Sequence, residues 1–575
     1  MPSRRGLRGR PRSLDRFELG ALVVLALLSL WDVVSDLAIA RAHGLVWTRT
    51  DGFFAVDQLQ YLAWIQSSAH HWLIADMFVL RPTTADYLQP AILLSGLLVR
   101  AGVASWLALM LWKPVAVIAV TLAAVALTRR CFERTFDRRA ALVLALFYAS
   151  LSDVNGSLGV IGDMMSVWQS WGYPFGLLAA ALITAGLIVY ADARERGSLT
   201  LVPGLLGALA GLLHPWQGEL MFLIVVIAEL CGPARPPATL RARRAGDRAW
   251  ARPPALAAVT LALVALPLLY YFGLGHLDAV WRVGQQRARH TFSATATLLA
   301  AAPLLACALL GYRGRPRDTL ELLLRAWVPA AVVIWVFSQS ALGATPLHAV
   351  GGLPLPMAVL AVRGVHRARL DRLRHGRALA VLGIALLTVP ATAYCMGYAH
   401  TFLRPSPTSG NFVTPSESRA LRHLTVVGPR GGVLAAFRLG QVVPGVTGHR
   451  TYIGDCLWSE PRCDVRKRTM ETLLQGEMAP AAARRFVRGT GAEWLLGGCG
   501  ARRAAVDREL RGLVSNELPE GCATVWQLKQ GRSSSRGGPA QAGGASHYRG
   551  GPAQAGGASH YHPRPYASVR APRRQ

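Results

Sequence analysis

The stretch DGFFAVDQLQYLAWIQSSAHHWL, residues 51 to 73, sets two carboxylates six residues apart, Asp51 and Asp57, ahead of aromatic and amide side chains and a histidine pair. A carboxylate can take the proton of an attacking hydroxyl. Flat rings beside it can stack on apolar faces of a ligand. Placed on a helix at 100° per residue, Leu59, Leu62, Ile65, Ala69, Trp72 and Leu73 fall in one arc, and Asp57, Gln60, Tyr61, Trp64, Ser67 and His71 in the other. This pattern predicts a helix lying flat at a membrane interface, its polar and aromatic face turned toward a ligand. An interfacial anchor, with Trp and Tyr at headgroup depth, has the same pattern. Asp57 argues for use, because an acid beside a bilayer is costly unless paired or functional.

Three other groups could contribute chemistry. In LLHPWQGELM, residues 212 to 221, His214, Trp216, Gln217 and Glu219 bring a proton carrier, a ring, an amide and an acid to one tight turn. Pro and Gly also explain that turn structurally, and the five-residue step from His214 to Glu219 across a proline is poor metal-ligand spacing. Asp163 lies near Trp168, Trp171 and Tyr173, an acid with flat rings suited to a carbohydrate, or a solvated loop acid. Arg282, Arg287, Arg289 and His290 make one loop basic against the surrounding trend and could hold an anion such as a lipid phosphate. Asp32 and Asp36, four apart on the first apolar run, could face a cavity or stand in water.

The elements that must position these residues are membrane helices. The chain is 52% hydrophobic and 16% charged, and its apolar residues come in blocks. Spanning a core of about 30 Å takes roughly 20 helical residues. Eleven apolar runs approach that, near 18–40, 104–128, 139–152, 174–191, 198–214, 216–231, 254–274, 292–312, 324–343, 347–364 and 378–399. A polytopic α-helical membrane protein of about eleven spans follows.

The net charge of +30 comes from arginine clusters between those runs, at 129–139, 191–196, 235–254, 313–318 and 363–377. Every second loop is basic, as topology signals require, so the charge marks orientation in a cell membrane and not a nucleic-acid partner. Residues 1–17 form a basic cytoplasmic N-terminus without a cleavage site. The long loop 41–103, the loops holding Asp163, His214, Arg282 and ATPLH (344–348), and everything past about 400 face outward.

Residues 401–530 change character. Short runs at 424 (LTVV), 432 (GVLAAF), 493 (EWLLGG) and 523 (ATVWQL) alternate with the helical APAAARRFVRG, predicting a small exterior α/β domain. It holds Cys456, Cys463, Cys499 and Cys522, an even set compatible with two disulfides in any of three pairings. Residues 531–575 carry RGGPAQAGGASHY twice in tandem, a composition that predicts disorder. Neither a phosphate-cradling glycine loop nor an H-E-x-x-H or paired C-x-x-C motif is present, which argues against soluble nucleotide chemistry.

This layout resembles the membrane-embedded type C (GT-C) glycosyltransferases: a first span, a long outer loop opening with an acid before an amphipathic helix, about ten further spans and an exterior α/β domain. VDQLQYLAWIQ, LHPWQGE, LHAVGGLPLPMAVLAVRGV and GVTGHRTYIGDCLWSEP are similar to stretches in bacterial, often actinobacterial, members. The resemblance, over residues 18 to 530, implies transfer of a hexose or pentose from a polyprenyl-phosphate donor to a lipid, glycan or protein acceptor. The family's first-loop acid serves as base or metal ligand; it matches Asp57, with Asp51 in reserve. The family often has an acid pair there, whereas Gln58 follows Asp57, so base catalysis and a divalent metal both stay open. In that mechanism Asp163 and His214 orient sugar or acceptor, the interfacial helix with Tyr61, Trp64 and His71 holds the head group of the lipid donor, Trp216, Gln217 and Glu219 also bind substrate, and Arg282, Arg287 and Arg289 meet the departing phosphate. A lipid or glycan transporter is a second reading, although no internal symmetry of two halves is seen; a non-catalytic membrane protein with an envelope-binding exterior domain is a third.

Overall fold

The computed structural model describes residues 13–529 except 52–53, 150, 155–156, 233–251, 288–292, 339–345, 373, 407–408, 429–430 and 460–461. The N-terminal basic segment to residue 12, most of the 235–254 loop and the tandem-repeat tail lie outside the described residues.

The membrane part runs through α1 (Arg16–Ser29), α2 (Trp31–Ala42), β1 (Val46–Trp47), α3 (Ala55–His70), α4 (Pro90–Arg100), α5 (Ser105–Met110), α6 (Trp112–Cys131), α7 (Thr135–Phe147), the hairpin β2 (Leu151–Val154) and β3 (Ser157–Val160), and α8 (Ser166–Gly172). It continues with α9 (Pro174–Arg196), α10 (Val202–Leu213), α11 (Pro215–Leu230), α12 (Arg252–Leu277), α13 (Ala279–Arg287), α14 (Ala294–Leu310), α15 (Thr319–Ser338), α16 (Pro354–Arg367) and α17 (Gly376–Phe402). Among the described residues the apolar runs fall mostly in helices. Among the described residues six helical stretches, Arg16–Ala42, Ser105–Cys131, Pro174–Arg196, Pro254–Leu277, Thr319–Ser338 and Gly376–His400, are long and apolar enough to cross a membrane. The run at 139–152 is shorter than expected, because α7 ends at Phe147 and the chain turns into the β2–β3 hairpin.

Helix α6 packs on α9, α9 on α10, α10 on α12, α11 on α15 and α14 on α16. Small residues allow the closest of these approaches: a Cβ on Gly218 would lie 2.8 Å from Cα of Gly211, so α10 and α11 meet backbone to backbone. At one end of the bundle several arginines near the helix ends are paired. Arg130 reaches Asp192, Glu195 and Asp318 at 3.2, 3.1 and 3.5 Å, Arg194 holds Glu229 at 2.9 Å, and buried Glu321 accepts from Arg325, Arg363 and Arg367.

Beyond α17 come β4 (Phe412–Val413), α18 (Pro415–Val427), β5 (Gly432–Ala435), α19 (Phe437–Thr447), β6 (Arg450–Thr451), α20 (Cys463–Leu474), α21 (Pro480–Thr490), β7 (Trp494–Gly497), α22 (Arg503–Glu509), β8 (Val514–Glu520) and β9 (Ala523–Leu528). Five strands make one sheet in the order β6-β5-β7-β9-β8, parallel on the β6-β5-β7 side and antiparallel on the other. The runs at 432, 493 and 523 are β5, β7 and β9. LTVV at 424 is not a strand: it ends α18, whose start is fixed by a capping box of Thr414 and Glu417 and whose Leu421 and Leu424 are buried. The cysteines pair as Cys456–Cys463 and Cys499–Cys522.

This α/β part is not an appended module. β1 of the first long loop pairs with β4, Thr451 N–H donates to the Met77 carbonyl at 3.0 Å, and Ser459 Oγ donates to the Phe78 carbonyl at 3.1 Å. Helix α3 is clamped between α4 and α19, with Gly445 seated against Leu62. The amphipathic reading of α3 as a helix flat on the bilayer is therefore corrected: Gln58, Leu59, Gln60, Leu62, Trp64, Ile65, Ser67 and Ser68 are all buried, on both arcs, because protein covers the face assigned to lipid.

Candidate active site

Asp57 lies in the first turn of α3, where the unpaired N–H groups of a helix start favour a carboxylate. That turn is locked to the end of α8. Gln58 Nε2 donates to the Gly172 carbonyl at 2.9 Å, and Phe54 packs on Tyr173 with centroids 4.4 Å apart. A Cβ on Gly172 would fall 1.8 Å from the Phe54 ring, so this position has no room for a side chain. The lock brings the Tyr173 hydroxyl to Asp57, donating to Oδ2 at 2.8 Å. Burial first, and the Asp57 charge next, push the Tyr173 phenol far above its ordinary range, so it stays a donor.

Tyr173 leads to a second set of groups. Its ring lies 6.1 Å from His348, whose Nδ1 is 2.9 Å from Asp163 Oδ2. A carboxylate only accepts, so this contact puts the proton on Nδ1 and leaves Nε2 of His348 as the basic nitrogen. Asp163 sits in a 3-10 turn, Gly162–Met164, whose Asp163 carbonyl accepts from Gln169 Nε2 at 2.8 Å. His214 lies 4.8 Å from His348, centroid to centroid, and Trp216 lies 4.5 Å from it. Local sequence explains the placement. Pro215 starts α11 and forces the residue before it into an extended conformation, so His214 ends α10 and turns inward. Its Nδ1 meets Gln217 Oε1, and Gln217 Nε2 reaches the carbonyls of His348 and Gly351 at 3.3 and 3.4 Å.

On the other side of Asp57 runs a row of rings. Tyr61 contacts Phe175 at 5.3 Å and Trp64 at 5.8 Å, and Trp64 contacts Tyr87, Trp281 and Trp458 at 5.0, 5.9 and 5.7 Å. Tyr87 and Trp281 are stacked at 4.1 Å. Asp57 thus stands between two imidazoles and an aromatic wall.

Of the residues expected from sequence, Asp57, Tyr61, Trp64, Asp163, His214, Trp216 and Gln217 belong to this connected set. His71 does not: it caps the end of α3 and is exposed. Glu219 is also exposed, on the side of α11 away from Gln217. Asp51 sits elsewhere, buried to 2% exposure, with Oδ2 2.9 Å from Lys113 Nζ; the same ammonium reaches Asp32 at 3.1 Å and donates to the Ser29 carbonyl at 2.9 Å. Burial pushes the Asp51 carboxyl up, opposed by Lys113. An acid so enclosed has no approach for an incoming hydroxyl, which corrects its place as the reserve base. Asp36 accepts from Asn411 Nδ2 at 2.8 Å. Arg282 is exposed on α13; Arg287 ends that helix; Arg289 and His290 lie outside the described residues.

His348, Tyr87, Trp281 and Trp458 were not singled out from sequence. His348 belongs to the ATPLH loop, where a histidine just before the next helix was a usable signal. Among the described residues no group of three or more His, Cys, Asp and Glu side chains is placed to hold a metal ion.

No family model and no curated protein matches the chain. Solved structures do. The oligosaccharyltransferase of Archaeoglobus fulgidus in its apo form superposes with a TM-score of 0.50 at 14% identity, covering 90% of this chain and 75% of that one. The arabinofuranosyltransferase AftD from Mycobacteria, in a mutant form, gives 0.50 at 13% identity over 90% of this chain and 42% of that one. ArnT from Cupriavidus metallidurans bound to undecaprenyl phosphate gives 0.45 at 14% identity, over 91% and 99%. With the apolar helices described above, the first two matches identify the chain as a polytopic membrane protein with the GT-C glycosyltransferase fold.

Proposed function

We propose that this chain is a glycosyltransferase of the plasma membrane, moving a hexose or pentose from a polyprenyl-phosphate donor to a cell-envelope lipid, glycan or protein on the outer face. The observation that carries the reading is convergence. Asp57, Tyr173 with Asp163, His214 with Gln217, and His348 come from four separate loops and form one connected polar set at one end of the bundle. The fold shared with two glycosyltransferases supports it.

In the reaction the acceptor oxygen attacks the anomeric carbon, the new C–O bond forms as the bond to the phosphate oxygen breaks, and the electron pair leaves with the carrier phosphate. Asp57 takes the acceptor's proton. Tyr173 holds one of its oxygens and so aims the carboxylate. His348, fixed by Asp163, and His214, fixed by Gln217, present Nε2 to sugar hydroxyls. Arg282, with Arg287 and Arg289, balances the charge of the departing phosphate. The N-terminus lies in the cytoplasm and the α/β domain outside, an orientation supported by the paired cysteines, which suit an oxidising compartment.

The test is mass spectrometry of polyprenyl-phosphate sugars and envelope glycans in cells whose only copy carries Asp57→Asn. General-base removal lowers the rate by about 10²- to 10⁴-fold, so the donor accumulates and the product is lost. Unchanged pools at normal membrane levels, with exposed His71→Ala as the matched control, would overturn the assignment.

A further inference from the structure

The turn Gly454–Trp458 belongs to the α/β part, yet it faces the aromatic wall beside Asp57. It is rigid. Asp455 O accepts from the backbone N–H of Trp458 and of Ser459 at 3.1 and 2.7 Å, Ser459 Oγ bridges Gly454 and Phe78, and the disulfide from Cys456 to Cys463 closes it. Asp455 is 3% exposed; its Oδ1 accepts from Leu457 N–H at 2.8 Å, while buried Oδ2 has no partner among the described residues. The Trp458 indole N–H, on a side chain 8% exposed, is buried without a partner in the same sense. Leaving such groups unpaired is costly. The Asp57 and Asp76 carboxylates are close enough to act on Asp455 electrostatically, and the Trp458 ring meets Trp281 at 4.6 Å and Trp64 at 5.7 Å. One acceptor within electrostatic reach of Asp57, and one donor on a ring of the wall, thus stand unpaired among the described residues.

The same row ends in a groove of about 480 Å³ at the end of α12. Leu269 and Leu277, 65% and 89% exposed, form its lipid side, and Asp86 and Asp278 its polar side. Asp278 Oδ1 caps α13 by accepting from Val280 and Trp281 N–H, so groove and ring row are joined through the start of that helix. The groove's own lining offers two carboxylates and no cation, which disfavours a phosphate inside it and leaves the phosphate to the arginines further along α13. Leucines at the end of a membrane helix suit an acyl or prenyl tail.

We infer that this face recognises the acceptor, a glycolipid with an uncharged polyhydroxylated head: its tail lies in the α12 groove, its sugar stacks on Trp64, Tyr87 and Trp281, and Asp455 Oδ2 and Trp458 Nε1 pair its hydroxyls. The inference rests on the transferase reading above and adds the acceptor's class and the residues that select it. Asp455 and Trp458 bind the acceptor in this scheme and take no proton in the transfer at Asp57.

The experiment uses full-length protein in nanodiscs and the lipid extract of a strain lacking this chain, split by anion exchange into a phosphate-bearing and an uncharged fraction. Product formation is measured while each fraction is varied. Trp458→Phe and Asp455→Asn each raise the half-saturating amount of the uncharged fraction by about tenfold, the worth of one hydrogen bond to a sugar hydroxyl, leaving the phosphate-bearing fraction and the maximal rate unchanged within twofold. A shift in the phosphate-bearing fraction, a fall in maximal rate alone, or no shift overturns the inference. So does product formation with the aqueous extract of the same cells in place of the uncharged lipids. Failure of the underlying reading is separate and visible in the same assay, as wild-type turnover by Asp57→Asn.

Discussion

Lys113→Met should be among the most destabilising single changes in the membrane part. Its side chain sits on α6, 3% exposed, and its ammonium is shared by Asp32 at 3.1 Å and Asp51 at 2.9 Å, both still more deeply buried. Both carboxyls of the triad therefore lean on this one ammonium. Removing one member of a buried pair costs about 3–5 kcal/mol, because the other charge stays desolvated; here two acids are left, which sets the expectation at the upper end. That is a roughly 10³-fold or greater rise in the unfolded fraction, at about 1.4 kcal/mol per factor of ten. Asp51→Asn should behave in the opposite sense. It keeps the shape, leaves one cation facing one anion, and should change stability by less than about 1 kcal/mol. The assay is SDS titration of protein in mixed micelles, read by tryptophan fluorescence, beside the transfer rate. Tolerance of Lys113→Met, or loss of transfer by Asp51→Asn at unchanged stability, would refute the assignment of Asp51 to structure.

Tyr173→Phe removes the donor on Asp57 Oδ2; a hydrogen bond to a charged group is worth about 1.5–3 kcal/mol, so transfer should fall by roughly 10- to 100-fold with the fold intact, measured as initial rate in nanodiscs. Asp455 has its carboxyl pushed up to about 7, chiefly by burial. The folded state therefore holds this proton more tightly than the unfolded chain, and stability falls as pH rises from about 4 to about 7, by up to about 4 kcal/mol. Asp455→Asn should flatten that slope in unfolding titrations at pH 5 and 8, and an unchanged slope would contradict the burial argument. Cys499→Ser opens a bridge with a sequence separation of 23, at a cost of about 2–4 kcal/mol, so protease resistance of the α/β part should drop and reductant should mimic the variant on wild-type protein.

The helical part of this molecule was legible because lipid demands long apolar helices and charge marks the loops between them. The acid of the first loop and the His-Pro-Trp-Gln-Gly turn were legible for a similar reason: polar side chains at a membrane boundary need a cause. What could not be read was contact between segments hundreds of residues apart. His348 meets Asp163 across 185 positions, and nothing local in either loop records it. Helix α3 has the periodicity of an interfacial helix, but the same pattern serves a helix covered on one side by α4 and on the other by α19. Lys113, one of three lysines in the chain, lay inside an apolar run and gave no sign that Asp32 and Asp51 converge on it. The wall that Trp458 completes depends on the α/β part folding back onto the first loop, which only the β1–β4 pairing and the contacts of residues 77–80 reveal.

The central claim is that Asp57 activates an incoming hydroxyl. The most direct measurement is the single-turnover transfer rate of purified Asp57→Asn against wild type, with donor and acceptor fractions both saturating. The account predicts a fall of about 10²-fold or more with half-saturating amounts little changed and unfolding unaltered. A rate within threefold of wild type would contradict it.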